Sequence, residues 1–222
     1  MNKYRLQHPL EIKKVLIFDF DGVIVDSNKL KSKAFKILYK KHKTHIGQIL
    51  YFHEKFTSLN RYKKIRYINK HIIKQHYDIK DINEYISKFN KISFSLLIKS
   101  SYLPGLVKLL RNNYSKREIV INSAAPKFEI SLFLENKIIN KYVSYVYGAP
   151  NSKLKNFRKI FRKYSDFKLK HFIYFGDSIS DYEFSKKVNI DFIGLNFDKM
   201  NKLNKFKNEI KILKNFNNFK IN

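Results

Sequence analysis

The chain has 222 residues, enough for one full α/β domain or for a domain carrying a sizeable insertion, and too many to depend on metal or disulfide staples. It has no cysteine, which excludes disulfides, Cys-ligated zinc and thiol nucleophiles. With 46 Lys and Arg against 18 Asp and Glu the formal charge is +28, yet 44% of the residues are hydrophobic, too many for a disordered basic tail.

The N-terminal stretch ends in a short apolar run that two aspartates interrupt, and no small-residue cleavage site follows. No apolar run reaches the roughly 18 residues of a membrane span. The expectation is a cytoplasmic protein with no membrane partner. Lys14 to Phe20 (KVLIFDF) reads as a buried parallel strand whose C-terminal end carries carboxylates. Asp21-Gly22 signals a turn, and Asp26, Ser27 and Asn28 are candidate caps for a helix through Leu30, Ala34 and Leu38. From residue 29 to about 98 there is no proline, and the apolar spacing is helical. Ile46, Ile49 and Leu50 form one group, Tyr62, Ile65, Ile68 and Ile72 a second, Ile82, Tyr85, Ile86 and Phe89 a third. This predicts three to five helices with a small core of their own.

Strands then alternate with helices. Leu103-Pro104-Gly105 leads into a helix with Leu106, Leu109 and Leu110, and Glu118–Asn122 reads as a strand. Pro126 suits the first turn of the next helix. Val143–Tyr147, Phe172–Phe175 and Ile190–Leu195 read as strands, and Lys153–Tyr164 and Ser178–Lys187 as helices. The Lys/Asn-rich tail after Asp198 is open to either an edge strand with a helix or a frayed end. The pattern predicts an α/β fold, a doubly wound parallel Rossmann-like sheet with an inserted all-helical domain. The core is expected over residues 1–27 and 99–222 and the insertion over 28–98.

Lys, Asn, Ile, Phe and Tyr are the residues of A/T-rich codons, so the charge is read as compositional drift, with no specific nucleic acid as partner. Residues 29–98 hold 17 Lys and Arg against 4 Asp and Glu, a net +13 of the +28, and this modest excess favours an anionic substrate.

Five aspartates fall in two short clusters, Asp19, Asp21 and Asp26, then Asp177 and Asp181, each starting where an apolar strand ends. Ligands of open parallel sheets bind at those ends. Crowded carboxylates need a cation, and all-oxygen ligation suits Mg²⁺, which in turn points to phosphate chemistry. Two carboxylates spaced i, i+2 can divide the work, one as nucleophile, the other as general acid and then base. Ser123 follows a strand and precedes a helix, where a hydroxyl and free N–H groups grip phosphate. Lys153 starts a helix, an unfavourable place for a cation unless an anion lies opposite.

These pieces, in this order, resemble the haloacid dehalogenase superfamily of phosphohydrolases. The first motif stands as Asp19-Phe20-Asp21-Gly22-Val23-Ile24-Val25-Asp26-Ser27, the second as Ser123 closing IVINS, the third as Lys153 in GAPNSK, and the fourth as Gly176-Asp177-Ser178-Ile179-Ser180-Asp181. The first motif and Pro104-Gly105 look like the branch with phosphoglycolate phosphatases and β-phosphoglucomutases. The resemblance implies that Asp19 is the nucleophile and forms an aspartyl-phosphate, and that Asp21 protonates the leaving group and then activates water. Asp19, the Asp21 backbone carbonyl and Asp177 would bind Mg²⁺, with Asp181 in or beside that shell. Ser123, the Ala124 N–H and Lys153 would hold the phosphoryl group. Many relatives have Asn after the motif-two hydroxyl, and Ala124 offers only its backbone. The helical insertion looks like the family's cap.

Within that insertion, His53, Arg61 and Lys64 are spaced as in phosphatase-like proteins linked to surface-sugar synthesis, which implies a substrate-reading segment. Read without the resemblance, Arg61 and Lys64 are solvated helix charges and His53 a packed or exposed histidine. The expected activity is a Mg²⁺-dependent phosphatase for a small phosphorylated metabolite, a sugar phosphate or a phosphoglycolate-like acid. The alternatives are a phosphomutase of the same fold and a basic nucleic-acid-binding protein or polynucleotide phosphatase.

Overall fold

The computed structural model describes residues 6–196 and 202–221, apart from 57, 58, 60, 76 and 77. Three of the residues between His53 and Arg61 thus lie outside the described residues. The chain divides into two compact units, Met1–Asp26 with Ser101–Asn222, and Ser27–Ser100.

The second unit is helical. It comprises α1 (Asn28–Leu38), α2 (Ile46–Lys55), α3 (Arg61–Tyr67), which continues as a π-helical turn over Ile68–Ile73, and the 21-residue α4 (Ile79–Lys99). Asp78 caps α4, its side chain accepting from the Asp81 N–H while Asp81 returns the bond to the Asp78 N–H. Ser27 sits at the cap position of α1 but makes no capping bond with its side chain. Ala34, Phe35, Tyr39, Ile49, Phe52, Ile65, Ile68 and Phe89 form the core, with Ile46, Leu50, Tyr85 and Ile86 packed against it. Tyr62, expected on that face, is exposed.

The first unit is an α/β fold around a six-stranded parallel sheet. Its strands are β1 (Val15–Phe18), β2 (Glu118–Pro126), β3 (Tyr145–Ala149), β4 (Phe172–Gly176), β5 (Asp191–Leu195) and β6 (Lys211–Leu213), in the order β3-β2-β1-β4-β5-β6. Its helices are α5 (Leu106–Asn113), α6 (Lys127–Asn136), α7 (Lys153–Lys163) and α8 (Ile179–Lys187). β1 is central and wholly buried, which explains its unbroken run of Val, Leu, Ile and Phe. Phe18 pairs with Ile121 on one side and Phe175 on the other, so the carboxylate-bearing ends of β1 and β4 are level. Phe18 and Phe175 stack at 4.6 Å, and Phe216 from the C-terminal segment meets both edge-on.

Three boundaries differ from the sequence reading. β2 runs on to Pro126, with its pairing to β3 shifted between Asn122 and Pro126, so Ser123 lies in an irregular strand end instead of beyond it. Pro126 occupies the cap position of α6, one residue before its first turn. β3 starts at Tyr145 because Asn140–Tyr142 coils into a 3₁₀ turn. The tail supplies a 3₁₀ turn at Lys202–Phe206 and the edge strand β6.

At the opposite end of the sheet, the buried Lys13 forms an ion pair with Asp191 and donates to the Lys170 carbonyl at 2.6 Å. Gln7 N–H also donates to Asp191, at 2.6 Å, and His8 lies 3.2 Å from it.

Candidate active site

Asp19 is the first residue past β1. Its N–H donates to the Phe175 carbonyl at 2.9 Å, which continues the ladder by one step, and its Oδ1 accepts from the Phe20 N–H at 2.8 Å. The chain then turns sharply, the Phe20 carbonyl accepting from Ile24 N–H at 2.9 Å and the Val25 carbonyl from Gly22 N–H at 2.8 Å. Gly22 has φ +73°, and a Cβ there would overlap the Asp177 carboxylate. Only glycine lets this turn lie against the end of β4.

One carboxylate oxygen from each of Asp19, Asp177 and Asp181 falls within 4.8 Å of the others. Asp19 and Asp181 are buried and Asp177 half-buried. The Lys153 ammonium lies 2.9 Å from Asp19 Oδ2 and is also ion-paired with Asp181. The anion that a lysine at the start of α7 called for is thus supplied twice over. Asn122 helps fix that first turn by donating its amide to the Lys153 carbonyl at 3.1 Å, and Ser152 caps the helix. The Ser123 hydroxyl accepts from the Ala125 N–H at 3.2 Å and hydrogen-bonds the Asp19 carboxylate. Ala124 is exposed beside it.

Burial pushes the Asp19 carboxyl up to about 6, with Asp181 and Asp21 adding repulsion, against the opposing pull of Lys153 and the Ser123 hydrogen bond. For Lys153, burial alone would lower the ammonium's proton affinity, but Asp19, Tyr174 and Asp181 raise it well above the ordinary lysine value. Lys153 is therefore a fixed cation facing a carboxylate that resists ionising. That excess of buried negative charge, carried by oxygen alone, fits a hard divalent cation held by Asp19 and Asp177.

Asp181 is committed elsewhere. One oxygen pairs with Lys153, and the other accepts from the Ser178 N–H at 3.2 Å and hydroxyl at 2.7 Å, closing a capping box at the start of α8. Its geometry is that of a residue orienting Lys153 next to the acidic cluster. Asp21 is half-buried, contributes charge to Asp19 and lies outside the three-carboxylate group.

Sequence reasoning missed Tyr174. Wholly buried on β4, it donates to the Asn122 carbonyl at 2.8 Å, its hydroxyl lies 3.4 Å from Asp181, and its ring sits 5.7 Å from the Lys153 ammonium. The one available signal was a tyrosine in a strand with both faces covered, where the phenol needs a polar partner.

His53, Arg61 and Lys64 all belong to the helical unit. Lys64 is not a solvated helix charge: it is 4% exposed, and its ammonium contacts His53 Nδ1 at 2.8 Å and the His53 carbonyl at 2.9 Å. Arg61 donates to Asn90 at 2.5 Å and lies over the Phe89 ring.

Among the described residues no helix is long and apolar enough to cross a membrane. No curated protein matches the chain. Solved structures resemble it at low identity. A Clostridium difficile protein named as a phosphatase has TM-score 0.71 and 17% identity, over 91% of this chain and 94% of its own. A Thermotoga maritima protein named as a β-phosphoglucomutase has TM-score 0.72 and 16% identity, over 90% and 94%. The HAD-hydrolase YfnB of Bacillus subtilis, bound to magnesium, has TM-score 0.70 and 14% identity, over 92% and 95%. The family model described as haloacid dehalogenase-like hydrolase matches residues 16–195. That span runs from within β1 to the end of β5 and takes in every carboxylate gathered around Lys153, and the chain belongs to the haloacid dehalogenase-like hydrolase family.

Proposed function

We propose that the protein is a Mg²⁺-dependent phosphatase of a small phosphorylated metabolite, acting through an aspartyl-phosphate on Asp19. The observation that carries this reading is the buried Asp19 carboxylate, 2.9 Å from Lys153 and grouped with Asp177 and Asp181 at the end of the central strand.

In this reading an Asp19 oxygen attacks the phosphorus and the ester oxygen leaves, taking a proton from the Asp21 carboxyl. Asp21, now ionised, removes a proton from a water molecule. The resulting hydroxide attacks the phosphorus, and inorganic phosphate and the free Asp19 carboxylate are regenerated. Ser123, the Ala124 N–H and Lys153 hold the phosphoryl oxygens, where charge accumulates in the transition state. Tyr174 and Asp181 keep Lys153 aimed. Asp19, Asp177 and the Asp21 backbone carbonyl would hold Mg²⁺, which when bound offsets the charge of carboxylate and phosphate brought together. The Bacillus subtilis relative bound to magnesium and the oxygen-only donor set support that assignment. The helical unit, as a cap, would select the substrate.

The test is phosphate release from a broad panel of phosphorylated metabolites, with Mg²⁺, with EDTA and with Asp19→Asn, each with and without a sugar bisphosphate. Metal-dependent release that drops by about 10³-fold or more in Asp19→Asn is expected. Turnover that survives the substitution overturns the nucleophile. Isomerisation that requires the bisphosphate, without net release, replaces the phosphatase with a mutase.

A further inference from the structure

An open sheet has two edges, and an edge strand offers backbone groups that no ladder has used. The edges of this sheet differ. β6 has three residues and starts with Lys211, a short, charged edge of the kind that discourages further pairing. β3 has five, Tyr145–Ala149, with neither a charge nor a proline. The Glu118 N–H donates to the Lys14 carbonyl, so alternate residues of β2 bond β1 and those between bond β3. With Val120 opposite Tyr145, this directs the Tyr145 and Tyr147 backbone to β2 and the Val146 N–H and C=O to the open side. The groups that flank Val146 are engaged. The Ser144 N–H donates to the Ile119 carbonyl at 2.7 Å, and the Gly148 carbonyl accepts from the Asn156 amide at 3.3 Å. Val146 is thus the centre of the unpaired edge.

Beside it, between β3 and α6, lies a cleft of about 310 Å³. Val143, Val146 and Leu134 give it apolar walls, and α6 contributes Lys127, Ser131 and Glu135. These three are spaced by four, so they form one row along α6, with a cation at its start, an anion at its end and a small hydroxyl between. Phe128 and Leu132, at the next positions on the helix, are 63% and 44% exposed. The surrounding charge is balanced. From Glu118 to Ala149, Lys127, Lys137 and Lys141 stand against Glu118, Glu129 and Glu135, in a chain of net +28.

We infer that the face formed by β3 and α6 is an interface with a second copy of this chain, a two-fold dimer centred on Val146 and Ser131. A two-fold axis normal to the sheet at Val146 sets β3 antiparallel to its copy, the two Val146 residues exchanging N–H···O=C bonds. The same operation lays α6 antiparallel to its copy. Lys127 of each then meets Glu135 of the other, across the paired Ser131 side chains. The spacing fits. Paired strands lie about 4.8 Å apart and α6 packs on both β2 and β3, so the two helices come about 10 Å apart, the distance of packed helices. Phe128 and Leu132 are covered in that contact. Nothing in it depends on the proposed activity. On the other face of the sheet α7 exposes Lys155, Arg158, Lys159 and Arg162, and Lys163 lies over the Tyr145 ring at 4.1 Å. Like charges there oppose the dimer, so salt should tighten it.

Sedimentation equilibrium of the full chain, from about 1 to 200 μM, is the test. In about 0.3 M salt the weight-average mass is expected to rise reversibly toward that of a dimer, and dissociation to become at least about threefold easier in about 0.05 M salt. Glu135→Lys sets lysine against Lys127 across the axis and is expected to weaken the dimer about tenfold. Adding Lys127→Glu restores opposite charges at both contacts and should recover the affinity, which a merely misfolded variant would not do. Both positions are exposed, so the fold should tolerate the exchange.

Cross-linking reads the register. The chain has no cysteine, so Val146→Cys introduces a single thiol. Facing residues of a hydrogen-bonded antiparallel pair have Cα atoms about 5.5 Å apart, within disulfide reach, and mild oxidation should give a covalent dimer. Lys211→Cys, on the other edge, should stay monomeric under the same oxidation. A chain that remains monomeric at 200 μM in 0.3 M salt overturns the proposal and leaves the edge to another occupant. So does a dimer indifferent to Glu135→Lys, a dimer that loosens as salt rises, or one that cross-links as readily through Lys211→Cys as through Val146→Cys.

Discussion

In its proposed role Asp19 faces two opposed demands, since a nucleophile must be ionised and a buried carboxylate resists ionisation. Its folded-state pKa is raised from 3.8 to about 6, so the metal-free native state holds a proton that the unfolded chain has released. The sign follows directly: stability is greatest below about pH 4 and declines as pH rises through about 6. Asp19→Asn should remove this slope and stabilise the metal-free protein near neutrality by roughly 2–3 kcal/mol, measured by urea unfolding in EDTA. A variant equally or less stable at pH 7 would contradict this account. Tyr174→Phe removes one hydroxyl that braces Asp181 and the Asn122 carbonyl. It should lower kcat by about tenfold with little change in KM, since the loss falls on the aim of Lys153 in the transition state. Gly22→Ala should cost at least about 1 kcal/mol from the positive φ alone and weaken Mg²⁺ binding by displacing Asp177, as isothermal titration would show. At this scale the sequence was legible wherever chemistry dictates residue type. Asp19, Ser123, Lys153, Asp177 and Asp181 could all be picked out, but Tyr174 and Asn122 support them from strand interiors, where side-chain direction depends on register. The burial of Lys64 against His53 of α2 was not legible, because helical spacing alone does not show which neighbouring helix covers a side chain.

Most elements were legible because β1, β2, β4 and β5 each contain a short buried apolar run and the helices of the second unit repeat their apolar residues at helical spacing. What could not be read was how their ends are tied. Lys13 precedes β1 in a run that looks like ordinary basic surface, yet it is buried against Asp191, the first residue of β5. The pairing is long-range, so no local pattern announces it. Asp191→Asn should destabilise the protein by about 3–5 kcal/mol, because it leaves the Lys13 ammonium buried without its partner. Adding Lys13→Met to that variant should recover much of the loss. Chemical denaturation of the single and double variants checks both. A single variant within about 0.5 kcal/mol of wild type would show that the pair does not anchor the sheet. The C-terminal segment is tied just as closely: Phe216 N–H donates to the Pro104 carbonyl at 3.0 Å, and Gly105, at φ +81°, has no room for a side chain beside the Phe216–Asn217 backbone. The sequence left that tail open between ordered and frayed, since its Lys and Asn dilute the signal of the few aromatic residues that hold it.

For the whole molecule, a formal charge of +28 is a standing self-repulsion. Salt screens it, so the melting temperature should rise by several degrees between about 0.01 and 0.3 M ionic strength, at about 2–4 °C per kcal/mol for a chain of this size. A flat or falling curve would mean that the basic side chains are already locally compensated. Binding to DNA, if it reflects charge alone, should be indifferent to sequence and strand and should vanish near physiological salt. The sheet order has a further consequence, for synthesis. β1 emerges early from the ribosome, but its neighbours β2 and β4 begin only at Glu118 and Phe172, and Phe216, which seals Phe18 and Phe175, comes later still. The strand that leads into Asp19 must therefore wait, apolar and unpaired, while the helical segment and half of the sheet are translated. Codon-level slowing or a destabilising change late in the chain would then appear first as aggregation through VLIF and only afterwards as lost activity.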